Sequence, residues 1–293
     1  MTTHFKKIAV FGKRGNTAVE PLNRIRELIE SMGLEVLFER STAKALGLPG
    51  GFDLAEIGER ADMAVIFGGD GTMLGISRRL ARFNIPFVGI NAGHLGFITD
   101  IPANDYEKEL VEILNGNYSI DSRLMLQAEL LREGKSIYQN IALNDIVISR
   151  GISGSMLEFT IQIDSQPMSV QRSDGLIIAT PTGSTAYALS CGGPIIHPTV
   201  SGMLIVPVAP HTLTNRPILV PETSIIDIQI SDIGDGALYY DMQDQMQVQQ
   251  DDIVRISRYP HPMHFMHPKN HNFYDTLRQK LHWNFMLTSL DSH

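Results

Sequence analysis

The sequence predicts two domains of different class: an N-terminal α/β domain with a parallel, Rossmann-like sheet, and a C-terminal all-β, sandwich-like domain. Three observations carry this prediction. The chain has 293 residues, more than one hydrophobic core ordinarily serves. Residues 1–100 alternate short apolar runs with segments of helical period. From about residue 100 onward period-two alternation takes over, punctuated by Gly, Pro, Asn and Asp.

Taken in order, Lys6 to Phe11 reads as a buried strand that ends at Gly12 in a basic turn with Lys13 and Arg14. Leu22, Ile25, Leu28, Ile29 and Met32 recur at helical spacing, and Gly33 is placed to end that helix. Glu35 to Glu39, Ala61 to Phe67 and Pro86 to Asn91 read as further strands, so the order is β-α-β with helices on the faces of a parallel sheet. The first turn, Gly12-Lys13-Arg14-Gly15, lacks the G-x-G-x-x-G fingerprint, which gives hydride transfer little support. Between Ala43 and Gly58 the pattern is poor, and Gly47, Pro49, Gly50 and Gly51 predict a surface loop.

A helix over Tyr106 to Leu114 precedes the change of pattern. Leu124, Leu126, Ala128 and Leu130 then form one strand face, and Leu157, Phe159, Ile161 and Ile163 another. Further strands are expected at Ile141 to Ile148, Leu176 to Ala179, Leu204 to Val208, Ile225 to Ile230 and Ile253 to Ile256. Phe273 to Trp283 is helical again. The expected division is 1–100 for the α/β domain, 101–270 for the β-rich domain and 271–293 for a tail that returns to the first domain.

Composition excludes several classes of function. With 24 basic against 32 acidic side chains the net charge is -8, which gives no support to non-specific binding of nucleic acid or an anionic membrane. Cys191 is the one cysteine, so no intrachain disulfide forms, as suits a reducing cytoplasm. The N-terminus has no apolar h-region, and no run of about 18 apolar residues occurs, so neither a signal peptide nor a membrane span is indicated. The expectation is a cytoplasmic protein.

Chemistry concentrates in three stretches. Gly68-Gly69-Asp70-Gly71-Thr72 follows an apolar run and opens a helix, an arrangement suited to phosphate because glycines admit the anion and helix N–H groups point at it. Asp70 would repel phosphate, and makes sense there if it holds a divalent cation or accepts a proton from an attacking hydroxyl. Asn144-Asp145 places two polar groups inside a β-run, where Asp is depleted; taken alone, the pair is better explained as a turn or a strand-edge pair. Arg172-Ser173-Asp174-Gly175 and Thr180-Pro181-Thr182-Gly183-Ser184-Thr185-Ala186-Tyr187 bracket an apolar strand and supply many hydrogen-bonding groups, although a strand, a turn and a capped helix also describe them.

Gly68 to Thr72 alone resembles a broad kinase superfamily that includes lipid kinases and, more distantly, phosphofructokinases. Together with Asn144-Asp145, the run Arg172 to Tyr187, Gly193-Pro194-Ile195, Pro210-His211-Thr212-Leu213 and Arg216-Pro217, it resembles the NAD kinases of bacterial type, from about Lys7 to Trp283. The resemblance implies transfer of the terminal phosphoryl of ATP to the 2′-hydroxyl of the adenosine ribose of NAD, giving NADP, with a divalent cation, Mg²⁺ by expectation. It also implies a nucleotide held between the two domains, a homodimer or homotetramer, and no nucleic-acid or membrane partner. By motif, Asp70 is the implied catalytic proton acceptor or metal-linked orienter of the hydroxyl. Asp70, Gly71, Asn144, Asp145, Arg172, Asp174, Thr185, Ala186, Tyr187, Ala188, Leu189, Ser190 and Gln243 are the implied nucleotide contacts, and no metal ligand is assigned.

Two positions depart from the family pattern: Asp241-Met242-Gln243 stands where Asp-Gly-Gln is usual, and Ser155 where a basic or His side chain is common. A lipid kinase of the diacylglycerol type and a non-catalytic NAD(P) sensor are the rival readings. His261, His264, His267, His271, His282 and His293 invite a metal-site reading. With Pro260, Pro262 and Pro268 interleaved and no cysteine near, solvated or locally hydrogen-bonded histidines are the expectation. His211 reads as a structural histidine and Cys191 as a small residue in a close-packed turn.

Overall fold

A computed structural model of the chain describes residues 5–13, 19–93, 95–151, 156–232 and 234–283, so that Arg14, Gly15, Ser155 and His293 lie outside the described residues. The chain forms two compact units, one drawn from Met1–Ser122 and Met263–His293, the other from Arg123–Pro262.

The first unit is built on a seven-stranded sheet. Its main path runs Glu35–Phe38, Lys7–Gly12, Met63–Gly68, Phe87–Asn91, Met263–Pro268 and Tyr118–Arg123, and Ile101–Pro102 pairs with Phe87–Asn91 off that path. The first four strands are parallel, with Val10 opposite Phe38 and Val65, and Val65 opposite Val88. Such strands are covered on both faces and therefore read as unbroken apolar runs. All six residues of Met63–Gly68 and all five of Phe87–Asn91 are buried accordingly. Helix Val19–Ser31 buries Leu22, Ile25 and Ile29 against the sheet, and Gly33, at φ +78°, follows its end.

Two expectations about this unit change. Part of the predicted loop between Ala43 and Gly58 is helical: Arg40–Ala45 and Leu54–Arg60 flank the glycine turn, and Asp53 and Glu56 form a capping box at the start of the second. The unit also extends beyond the expected limits of 100 and 271, because Tyr118–Arg123 and Met263–Pro268 complete its sheet. Helix Phe273–Leu281 follows the second of these strands.

The second unit is an antiparallel β-sandwich. One sheet runs Gln166–Ser173, Leu157–Ile163, Ile226–Asp232, Ile253–Arg258, Leu126–Arg132 and Lys135–Ala142; the other runs Ile218–Pro221, Gly202–Val208, Gly175–Ala179, Asp145–Ser149, Ala237–Tyr240 and Asp244–Gln247. Alternate residues of both sheets make one core, among them Leu126, Ala128, Leu130, Leu157, Phe159 and Ile161 from the first and Ile146, Ile148, Leu176 and Ile178 from the second. Gly175–Ala179 is buried on both faces because Ala188 and Ile196 cover its outer side, over Ile177 and Ala179.

The apolar run Ile141 to Ile148, expected as one strand, is two. Lys135–Ala142 belongs to one sheet and Asp145–Ser149 to the other, and the chain crosses between them at Leu143 and Asn144. A polar pair at the junction is what a strand end accommodates and a strand interior does not.

Candidate functional site

In the first unit, strand Met63–Gly68 delivers the chain to Gly69, the N-cap of helix Asp70–Leu80. The turn is tight: a Cβ on Gly68 would lie 2.7 Å from Thr72 Oγ1 and 2.8 Å from Thr72 Cβ. Asp70 occupies the first turn of the helix, where the helix dipole favours a negative charge. Its carboxylate is held by the segment that follows strand Phe87–Asn91. The N–H of Phe97 donates to Oδ2 at 2.8 Å, while the N–H groups of Ile98 (3.3 Å) and Thr99 (3.1 Å) and the Thr99 hydroxyl (2.8 Å) donate to Oδ1. Asn91, at the strand end, steadies this cradle by donating to the Thr99 carbonyl and hydroxyl at 3.3 and 3.2 Å. Gly96 is part of it too, since a Cβ there would stand 2.0 Å from Asp70 Oδ1.

In the second unit the structure brings together three stretches that are far apart in sequence. The Asp241 carboxylate accepts the N–H groups of Leu143 (3.0 Å), Asn144 (2.7 Å) and Asp145 (3.1 Å), pinning the crossing between the sheets. The Thr180 N–H donates to the Asn144 carbonyl at 2.8 Å, and its hydroxyl donates to the Leu143 carbonyl at 2.6 Å. Gly183 passes so close that a Cβ would lie 2.0 Å from the Asn144 carbonyl oxygen, so its place in Thr180-Pro181-Thr182-Gly183 admits no side chain. Thr185 closes a short 3-10 turn, and Tyr187–Ser190 is one helical turn beyond it.

Asp145 is the electrostatic centre of this cluster. It is 2 % exposed, and its carboxylate accepts no hydrogen bond among the described residues. Burial, and secondarily the negative charge of Asp241, push its carboxyl up to about 7. Tyr187 is raised as well, by burial first and then by Cys191, with which it shares a hydrogen bond.

Other residues singled out in the sequence fall elsewhere in the unit. Asp174 pairs with Arg150 (Nε–Oδ1 2.8 Å), and Arg172 lies on an exposed strand face against Glu158 (3.6 Å). Gln243 is in the turn whose residues Asp241 and Met242 both adopt the left-handed region at φ +50° and +53°. That conformation gives a physical reason for a glycine at the second position, and methionine holds it here.

Sequence reasoning missed Asn91, Gly96 and Thr99, the residues that hold Asp70, and it valued Gln243 above Asp241. It also missed Arg123, a fully buried arginine whose Nη1 donates to the Thr182 hydroxyl at 3.2 Å. The signals were a polar residue ending an apolar strand at Asn91 and a charged residue, Asp241, in a short turn.

A parallel α/β unit with a Gly-Gly-Asp-Gly turn at a strand end, together with a β-sandwich carrying a sequestered carboxylate beside a hydroxyl-rich turn, defines a phosphotransferase of the nucleotide-handling kind. Residues 52–118 match the model of the ATP-NAD kinase N-terminal domain and residues 143–268 that of the ATP-NAD kinase C-terminal domain. The chain is 45 % identical over 287 residues to an NAD kinase of Azoarcus sp., covering 97 % of this chain and 98 % of that protein. It is 47 % identical over 283 residues to an NAD kinase of Burkholderia thailandensis, covering 96 % and 95 %. Among solved structures, yeast NADH kinase complexed with NADH has the same fold, with a TM-score of 0.84, 22 % identity and coverage of 96 % and 88 %. An Archaeoglobus fulgidus NAD kinase in complex with ATP matches with a TM-score of 0.75, 24 % identity and coverage of 93 % and 99 %. The chain belongs to the ATP-NAD kinase family.

Proposed function

We propose that the protein phosphorylates the 2′-hydroxyl of the adenosine ribose of NAD, with ATP as donor, and releases NADP and ADP. The observation that carries the acceptor side of this reading is Asp145: a buried carboxylate with no donor of its own is suited to receive ribose hydroxyls. Asn144, beside it, has its backbone fixed by Asp241 and Thr180, which leaves its side chain to contact the dinucleotide. Thr185 to Ser190 form the wall of the same cluster, with Arg172, Asp174 and Gln243 as outer contacts.

In the transfer, the ribose oxygen attacks the γ-phosphorus and the bond to the β-phosphate oxygen breaks, while the hydroxyl proton passes to Asp70. Gly71 leaves the helix start open to a phosphate, since a Cβ there meets nothing within 4 Å. Asp70 Oδ1 accepts three hydrogen bonds and Oδ2 one, so Oδ2 keeps capacity for a proton or a cation. One carboxylate oxygen with phosphate oxygens and waters is a normal magnesium environment, and Asp70 fits that contribution. Magnesium supplies charge neutralisation on the triphosphate.

No described helix is long and apolar enough to cross a membrane. The single cysteine supports work in the cytoplasm. Assembly as a homodimer or homotetramer is supported by two edge strands of the sandwich, Gln166–Ser173 and Ile218–Pro221, which expose Met168, Val170, Ile218 and Leu219. The test is incubation with ATP, Mg²⁺ and NAD followed by chromatography. NADP formation is expected; lipid phosphorylation without NADP, or nucleotide binding with no turnover, refutes the reading.

A further inference from the structure

The histidine-rich tail contains a cluster that the transfer reaction does not use. His267, in strand Met263–Pro268, is 2 % exposed, and its Nδ1 lies 2.8 Å from Asp100 Oδ2. His271 Nδ1 lies 2.8 Å from the same oxygen, and the two imidazoles stack with centroids 4.1 Å apart and planes 14° apart. Of the other described histidines of the tail, His261 and His282 are exposed, and His264 bonds the Ser122 hydroxyl at 2.9 Å.

A purely hydrogen-bonded cluster accounts poorly for its other atoms. Asp100 Oδ1 and His267 Nε2 are both buried and have no hydrogen-bond partner among the described residues. Burying a polar atom in that state forfeits its bonds to water without replacement. Two imidazoles share a single carboxylate oxygen while its twin has no partner, which gathers three groups of metal-ligating type into one small volume.

We propose that Asp100, His267 and His271 form a binding site for one divalent transition-metal ion of zinc-like chemistry. The donor atoms of these three residues lie within 4.8 Å of one another. The ion would replace the two Nδ1 protons and be held by both Nδ1 atoms and the Asp100 carboxylate, with water completing the shell. Bonds of about 2.0–2.2 Å in a tetrahedral shell place neighbouring ligand atoms about 3.3–3.6 Å apart, so the two 2.8 Å separations must each open by about half an ångström or more to admit the ion. Coordination through Nδ1 leaves the proton on Nε2, and His267 Nε2 faces Asp121 Oδ2 at 3.9 Å, an electrostatic contact longer than a hydrogen bond. Asp100 Oδ1 gains a role as the second carboxylate oxygen. Two imidazoles and one carboxylate select zinc, cobalt or nickel over magnesium and calcium, which prefer all-oxygen shells.

The site is stiffly supported. His267 is fixed by the sheet, and His271 is fixed by a turn in which its N–H donates to the Pro268 carbonyl at 2.9 Å. Asp100 directly follows Thr99, whose N–H and hydroxyl hold Asp70. A bound ion would therefore anchor the end of the Asp70 cradle to the C-terminal segment.

The test uses the full chain without an affinity tag, loaded with excess ZnCl₂, dialysed against metal-free buffer and analysed by elemental mass spectrometry. We expect about one zinc per chain in the wild type and in His261→Gln, and background zinc in His267→Gln and His271→Gln, with affinity reduced by more than about tenfold. Zinc should raise the thermal midpoint of the wild type and leave that of His271→Gln unmoved; because His271 is the less buried histidine, this variant serves if His267→Gln does not fold. Wild type that dialyses free of zinc overturns the proposal. So does zinc retained equally by wild type and His271→Gln, which would place it on surface histidines.

Discussion

Replacing Asp145 by asparagine should make the protein more stable at alkaline pH and a poorer enzyme above about pH 7, where the wild-type carboxylate is charged. Asp145 titrates near 3.8 in an unfolded chain and is pushed up to about 7 in the fold, by burial first and Asp241 second. Because the folded value is the higher one, the folded state binds more protons between pH 4 and 7, and stability falls as pH rises through that window. Linkage over the three or so units of difference amounts to about 4 kcal/mol at pH 8, and about 3 kcal/mol of it develops above pH 4.5. The amide introduced by Asp145→Asn does not titrate, so the stability of that variant relative to wild type should rise by this amount between pH 4.5 and 8. Comparing the two pH values cancels the cost of burying the amide. Relaxation and water entry reduce the gain, and at least about 1.5 kcal/mol should survive. Urea unfolding at pH 4.5, 6 and 8 measures it as a change in midpoint at constant slope. The amide can accept through one oxygen only and carries no charge, so a charge-assisted bond to the ribose is lost, worth about 1.5–3 kcal/mol or roughly a 10–150-fold rise in KM for NAD. Parallel pH profiles for the two proteins would refute the buried-carboxylate argument, and an unchanged KM would remove Asp145 from the NAD site.

Three further substitutions probe the rest of the site. Asp70→Asn presents an amide donor to one of the backbone N–H groups that now donate to the carboxylate, and should cost about 1–3 kcal/mol of stability along with at least about 100-fold in turnover; near-normal steady-state NADP production by this variant would take Asp70 out of the mechanism. Gly96→Ala brings a methyl to 2.0 Å from Asp70 Oδ1 and should lower kcat severely with NAD affinity, measured by calorimetry, little changed; a kcat equal to wild type would show that the cradle does not position Asp70. Met242→Gly relieves a left-handed residue whose side chain is 55 % exposed, and should add about 0.5–1 kcal/mol in urea unfolding without altering turnover.

What could be read without coordinates was whatever local periodicity and residue type dictate. Met63–Gly68 is apolar throughout because both faces are covered, and Gly68 marks the turn into the helix because a Cβ there would meet Thr72. Asn144-Asp145 stood out as polar residues in an apolar run, yet the run itself concealed that the chain changes sheets there. The Asp70 cradle was not legible, because backbone N–H groups are common to every residue and Phe97 to Thr99 look like any loop. The Asp100 cluster was hidden by distance: 167 positions separate Asp100 from His267, so the histidines could be counted and their carboxylate could not. Asp53 and Glu56 have the three-residue spacing of a capping box, a local signal of a helix start just after the glycines.

The two aspartates of the proposed reaction are in opposite states of supply, and that difference assigns their work. Asp145 is buried, and burial and the Asp241 charge push its carboxyl up, so an incoming hydroxyl that bonds to it strengthens binding. Asp70 already accepts four hydrogen bonds, three of them on Oδ1. A fully supplied carboxylate gains little by binding a ground-state hydroxyl, but it is held in one orientation and can respond when a proton becomes available during attack. Oδ1 has no remaining capacity, whereas Oδ2 spends one lone pair on the Phe97 N–H, so either base catalysis or cation contact must run through Oδ2. Asp145 therefore contributes chiefly to KM and Asp70 chiefly to kcat. A double variant whose losses in kcat/KM simply add would agree with that separation, because two groups acting on one proton would instead show strong coupling.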